Sequence, residues 1–323
     1  MPLNNMYHDE RMLKMEFLSA SEAAELWKVS NSLVRRYLRR GQIPGAFFED
    51  GSWKIPANAV KPGASYQEEA EIRESSSLLK KLIYQQNRNN HFGIYEYLQV
   101  NMAYSSCRLA NNRLLRNQVE TIYRRDRIDP GFEPVKVNDV LEIVNHIQAL
   151  DYILKTCQEK LTPDYIKKIH SLLTYGTYFD FRREMGVGTL RNKPAKIQDK
   201  AATSPSLILR SLRKLTLSYE KEEVDLQKVL DFHVRLERIR PFSDYNGRVG
   251  RLIMLKECLR YGLDPFIIDD KRRATYNRGI ALWDEDPSVL TDAVLQAQKR
   301  FQNQMDTCNH FEYYRPANPR QLL

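Results

Sequence analysis

The chain has 323 residues, 42% of them apolar, and its 50 Lys and Arg against 41 Asp and Glu give a formal charge of +9. That length suits two or three domains with a sizeable core, while the absence of a bilayer-length apolar run or a secretory-type start sets the expectation of a cytoplasmic protein with no membrane partner. Cys107, Cys157, Cys258 and Cys308 are scattered without a CxxC pair or zinc-spaced histidines, which argues against a disulfide framework or structural zinc, and the basic balance favours nucleic acid or nucleotide phosphate as a partner.

The first unit is expected over residues 15–62, in "FLSASEAAELWKVSNSLVRRYLRRGQIPGAFFEDGSWKIPANAV". Ser19 and Glu22 form a capping box, and Ala23, Ala24 and Leu26 supply the buried face of a first helix. A second helix spans about Ser32 to Arg40 and stops at Gly41, with Leu33, Val34, Tyr37 and Leu38 inward and Arg35, Arg36, Arg39 and Arg40 outward. Arginines without a neighbouring acid suit phosphate and base-edge contacts. A hairpin turning at "EDG" follows as a wing. With "GQIPG" and "WKIP" after its second helix, the stretch resembles the helix-turn-helix module of the MerR and excisionase class. That resemblance implies DNA binding through Arg35, Arg36, Arg39 and Arg40, and paired modules imply a homodimer.

Residues 63–93 read as a linker and helical connector, 94–302 as a second domain and 303–323 as a tail. Helical periodicity dominates the second domain, in "VLEIVNHIQALDYIL" and in "LTPDYIKKIHSLL", where Thr162 and Pro163 start a helix. His233 falls on an apolar stripe, His146 and His170 sit inside amphipathic helices, and all three read as satisfied core histidines. In "LERIRPFSDYNGRVGRL", Pro241 ends one helix and another opens near Gly247 and closes at Gly262. The connecting turn, its main-chain N–H groups, Arg248 and Arg251 could hold a phosphate chain. Asp244 is placed to hold a magnesium ion against those phosphates.

This loop resembles the signature H-P-F-x-D-G-N-G-R-x-x-R of the Fic family, proteins named for filamentation induced by cyclic AMP. Pro241, Phe242, Asp244, Asn246, Gly247, Arg248 and Arg251 match, whereas Arg240 replaces the histidine and Tyr245 the first glycine. "GVGTLRNKPAKI" resembles the family's target-aligning flap, with Arg191, Ala195, Lys196 and Ile197, a mode of recognition by added-strand pairing. "YNRGIALW" places Tyr276 near the nucleotide base. "AYSSCRLANN" resembles the inhibitory motif S-S-x-I-E-G-N, beginning at Ser105, but Leu109 stands for its glutamate.

The resemblance implies a mainly α fold, namely an all-helical Fic-type domain with a small β-hairpin flap, joined here to an N-terminal winged helix-turn-helix domain. It also implies AMP transfer from ATP, with Mg2+, to a hydroxyl of a protein substrate. Arg240 cannot accept the hydroxyl proton, because a guanidinium carries donors only. Loss of a positioned base costs roughly 10² to 10⁴ in rate, so a nucleotide-binding protein with impaired transfer, coupled to DNA as a regulator, is the leading expectation. An active transferase using a different base and a dimerising DNA-binding scaffold without nucleotide function remain open. Tyr245 either reshapes the phosphate site or points into solvent while its N–H still serves the phosphate.

Overall fold

The computed structural model describes residues 17–39, 42–43, 45–49, 51–57, 59, 61, 77–87, 93–125, 127–128, 134–181, 186–197, 200–221 and 223–313. It divides into two compact units, 1–75 and 76–323.

In the first unit, β1 (Phe17–Leu18), β3 (Ser52–Pro56) and β2 (Phe47–Glu49) form an antiparallel sheet in that order. Leu18 pairs with Ile55 and Phe48 with Trp53. Gly51, at φ 73°, takes the left-handed turn that a two-residue hairpin connection demands. Helix α1 (Ala20–Leu26) starts where Ser19 Oγ accepts the Glu22 N–H at 3.2 Å and Glu22 returns a carboxylate to the Ser19 N–H at 2.7 Å. The expected capping box is therefore formed.

Helix α2 (Asn31–Arg39) packs on α1 through Val34 and Leu38, which join Ala23, Ala24, Ile43 and Ile55 in one core. Each buried branched side chain of that core contributes on the order of 1.5–3 kcal/mol. Arg35, Arg36 and Arg39 are exposed, and Arg40 lies outside the described residues. Leu26 departs from expectation, being 61% exposed. It sits two residues beyond Ala24, roughly 200° around the helix, and Trp27 takes the place at the core edge.

The second unit is built of helices α3 (Leu78–Asn87), α4 (Ile94–Arg108), α5 (Arg116–Arg125), α6 (Val137–Lys155), α7 (Pro163–Thr174), α8 (Tyr178–Phe181), α9 (Ile208–Tyr219), α10 (Leu226–Ile239), α11 (Asn246–Arg260), α12 (Arg273–Leu282) and α13 (Ser288–Tyr313). Leu82 of α3 lies in its core, so the unit begins upstream of residue 94. The Thr162 hydroxyl accepts the Tyr165 N–H at 3.1 Å and Pro163 opens α7, as the sequence predicts. A short antiparallel pair, β4 (Lys196–Ile197) with β5 (Lys200–Ala201), lies in the segment that the sequence reads as a flap.

Helix α11 is the axis of this unit. Nearly all its residues are buried, from Asn246 through Leu259, as expected of a helix surrounded on every side. Helices α4, α6, α7 and α10 pack around it. Gly279 lets α12 meet α13, since a Cβ there would lie 2.8 Å from the Leu290 backbone. The main core therefore surrounds the helix whose first turn carries the anion-loop residues. Among the described residues, no helix is long and apolar enough to cross a membrane.

Candidate functional site: the loop between two buried helices

Helix α10 stops at Ile239 because Pro241 has no N–H to continue the ladder and crowds the residue before it. Arg240 caps the helix in the left-handed region, at φ 48° and ψ 64°, with its N–H on Leu236 O at 3.0 Å. Phe242 is fully buried and its backbone is stapled by Asn246, whose side chain accepts the Phe242 N–H at 2.9 Å and donates to Phe242 O at 2.8 Å. Helix α11 then opens with Tyr245 at its N-cap, φ 63° and ψ 4°. The turn is fixed by its own side chains before any ligand arrives.

Arg191 anchors the flap segment to this turn. Its Nε donates to Arg240 O at 2.6 Å, its Nη1 to Lys193 O at 2.7 Å, and its Nη2 to Thr203 O and Ile239 O. Its own N–H reaches Pro241 O at 2.9 Å. The guanidinium that the sequence assigns to the target flap is thus directed at backbone carbonyls. Ala195 accepts from the Ala202 N–H at 2.9 Å, while Lys196 and Ile197 pair with Ala201 and Lys200.

His170 supports the loop from below. Its ring stacks on Phe242 with centroids 3.9 Å apart, and Nδ1 accepts the Gly188 N–H at 3.0 Å. Burial pushes its pKa down to about 3, so the ring is neutral. Gly188 must be glycine, because at φ 66° a Cβ would stand 2.1 Å from Ser171 Oγ. Phe179 of α8 meets both the His170 and Tyr245 rings edge-on at 5.5 Å.

The loop brings Arg240, Asp244, Tyr245, Asn246, Gly247, Arg248 and Arg251 together on consecutive turns. Asp244 keeps a side chain 61% exposed, with Oδ1 accepting the Tyr245 N–H at 2.6 Å. Tyr245, for which the sequence allowed a solvent-facing ring, is buried instead, and its hydroxyl donates to Glu142 at 3.0 Å. Arg248 lies over the Tyr245 ring, 3.3 Å from its centroid, and pairs with Glu142 at 2.9 Å. Arg251 donates to Ser106 Oγ at 3.0 Å and Ser106 O at 2.9 Å. Gly247 gives Arg251 its room, since a Cβ there would lie 2.9 Å from Nη1.

Ser105 is buried beside Ser106, and Leu109 caps α4 while packing on the main core. Tyr276 is buried with its hydroxyl 2.5 Å from His233 Nε2. His146 and His233 are also fully buried, and both are pushed down to about 3, burial being the largest cause and the positive charge of Arg251 the next. All three are core histidines as expected, but they are not fully satisfied: neither ring nitrogen of His146 has a hydrogen-bond partner, and His170 Nε2 and His233 Nδ1 also lack one.

Sequence reasoning missed Ser106, Glu142 and Glu237. Glu142 stood four residues before His146 on the inward stripe of α6, and a carboxylate on that stripe is the signal that could have found it. Glu237 lies one turn before Arg240. Its Oε1 has no hydrogen-bond partner and would meet a Cβ at Gly250 at 3.4 Å, and burial raises its pKa. Chemically the site offers a helix amino terminus, two arginines and one exposed carboxylate, but no imidazole where Arg240 stands.

Residues 160–258 match the model of the Fic/DOC family. A protein adenylyltransferase Fic from Nematostella vectensis is 23% identical over 177 residues, 54% of this chain and 40% of that relative. A protein adenylyltransferase fic-1 from Caenorhabditis elegans is 22% identical over 184 residues, 54% of this chain and 34% of that relative. The chain thus spans less than half the length of the curated relatives it matches. In three dimensions it is similar to a Fic domain containing signaling protein from Bacteroides thetaiotaomicron, with TM-score 0.53, 20% identity, and coverage of 73% of this chain and 92% of that one. Fic-1 (aa134–508) from C. elegans superposes with TM-score 0.55 at 17% identity, covering 77% of this chain and 74% of that one. At these identities the structures establish shared fold, and the family match covers the helix α10, the loop and most of α11. Residues 160–258 of this chain form a Fic/DOC family domain.

Proposed function

We propose that this chain is a Fic-fold nucleotide-binding protein in which AMP transfer is impaired, coupled to DNA as a regulator. The observation that carries the reading is Arg240. It occupies the position at which the family signature has histidine, with its carbonyl held by Arg191 and its backbone fixed in the left-handed region. A guanidinium at that position is a permanent cation with no lone pair for a hydroxyl proton. Supporting nucleotide binding, Asn246 preserves the turn, Gly247 and Arg251 stand in the first turns of α11, and that helix opens at the loop. Asp244 fits a magnesium ion, being an exposed single carboxylate next to a phosphate site, and when bound such an ion would neutralise phosphate charge.

The first unit supports the DNA half of the proposal. Its two packed helices, antiparallel hairpin and outward Arg35, Arg36 and Arg39 are the parts a winged helix-turn-helix reader needs, and such readers act as dimers. A second reading, transfer with a different base, rests on Glu237. This unpartnered carboxylate oxygen with a raised pKa lies beside the first turns of α11.

Incubation with α-labelled ATP and magnesium, alone and with cell lysate, tests the two readings. The proposal expects no label from the natural chain and label from Arg240→His paired with Tyr245→Gly. Label on protein from the natural chain, lost in Glu237→Gln, would replace the proposal with the second reading.

A further inference from the structure

The amino-terminal turn of a helix favours an anion, and Arg248 strengthens that preference at the start of α11. The anion it faces belongs to the protein itself. Glu142, from α6, sets Oε1 2.9 Å from Arg248 Nη1, and the two side chains are 11% and 5% exposed. The same oxygen accepts the Tyr245 hydroxyl at 3.0 Å and Asn138 Nδ2 at 3.2 Å, while Oε2 accepts Asn112 Nδ2 at 3.0 Å. The carboxylate is therefore oriented from three sides and screened little by solvent.

The pairing leaves Arg248 incompletely satisfied. Its Nε and Nη1 are buried with no hydrogen-bond partner, so the 2.9 Å approach to Glu142 is an ion pair without hydrogen-bond geometry, and Nη2 lies 3.8 Å from the Asp244 carboxylate. A ligand phosphate would supply the acceptors this arginine lacks, provided the carboxylate yields. Tyr245 resists that exchange. Its hydroxyl holds Glu142, its ring carries the guanidinium, and its left-handed backbone is the conformation that a glycine would adopt without strain.

We propose that Glu142 is an internal competitor of the nucleotide phosphates for Arg248, and that Tyr245 is the residue that fastens it in place. The inference rests on the reading of this loop as a nucleotide-phosphate site. It differs from an ion pair at Leu109 or on Arg251, because the carboxylate comes from α6 and the arginine is the one in the first turn of the helix. Removing either contact to Glu142 lowers the work of freeing Arg248, so affinity for a phosphate chain must rise by the same coupling factor.

Calorimetric titration of the full chain with magnesium and ATP decides the matter, using the natural protein, Glu142→Gln, Tyr245→Phe and Asp244→Ala. Tyr245→Phe keeps the ring under Arg248 and removes only the hydroxyl, so it stays informative if Glu142→Gln unfolds. The expected result is ATP binding at least about fivefold tighter in Glu142→Gln and tighter in Tyr245→Phe than in the natural chain. A merely structural role would lower the melting temperature of these variants without tightening ATP. If Asp244→Ala weakens ATP while the other two match or fall below the natural chain, the nucleotide site stands and the competitor role is overturned. If none of the four proteins takes up ATP, both fall together.

Discussion

Five hydrogen bonds tie Arg191 to backbone carbonyls, four from the side chain and one from its N–H, and they join the flap segment to the turn at Arg240 and Pro241. Burial lowers its pKa, with Arg240 adding a smaller like-charge effect, yet the guanidinium remains the donor for a converging set of oxygens. Arg191→Ala would keep the bond from its N–H to Pro241 O but strip the side-chain donor from the other four carbonyls in a partly dry site. The loss expected is about 3 kcal/mol of unfolding free energy, read by urea denaturation. Arg191→Lys should recover less than half of it, because an ammonium cannot reproduce the planar fork; recovery in full by lysine would mean that charge alone, not geometry, holds the flap. Residue identity gave the loop's motif positions, including both departures at Arg240 and Tyr245. It did not give the direction of the Tyr245 ring, because the partner that decides it, Glu142, is 103 residues away.

Elements were legible wherever the signal was local. The Ser19 and Glu22 box, the Thr162 cap with Pro163, the Pro241 stop and the left-handed Gly262 after α11 are each written in a few consecutive residues and each is formed. Leu26 was misplaced because a seven-residue helix offers too few turns for periodicity to outvote hydrophobicity. Helix α2 is the element on which the proposed DNA reading of the first unit rests. Val34 and Leu38 bind it to the core, which leaves Arg35, Arg36 and Arg39 on its opposite side. If these residues meet phosphates, replacing Arg35 and Arg36 with Ala should weaken duplex binding and reduce the slope of log affinity against log salt by about 0.9 for each phosphate left without an arginine partner. Fluorescence anisotropy over a salt series reads that slope, and identical slopes for both proteins would remove α2 from the DNA interface.

Across the whole molecule, the second unit encloses three neutral histidines, and this makes it acid-sensitive in a defined direction. His146, His170 and His233 are each pushed down to about 3. Between that value and the unfolded value near 6.5, the unfolded chain binds protons that the folded chain refuses. Stability from these groups is therefore complete above about pH 6.5 and declines as pH falls, by up to about 1.4 kcal/mol per pH unit for each histidine. Asp151, Glu237 and Glu257 act in the opposite sense, since burial raises their pKa values and the folded state then holds protons that the unfolded state has released. A comparison between two proteins cancels those carboxyls. His146 is the group to remove, because neither of its ring nitrogens has a hydrogen-bond partner, so His146→Leu deletes a titrating site without deleting a bond. Urea unfolding followed by helical circular dichroism near pH 7, 6 and 5 should show the variant gaining on the natural chain as pH drops, approaching about 1.4 kcal/mol per unit below pH 6. A constant difference across that range would mean that His146 accepts a proton in the folded state, and that the interior beneath Arg248 and Arg251 is wet.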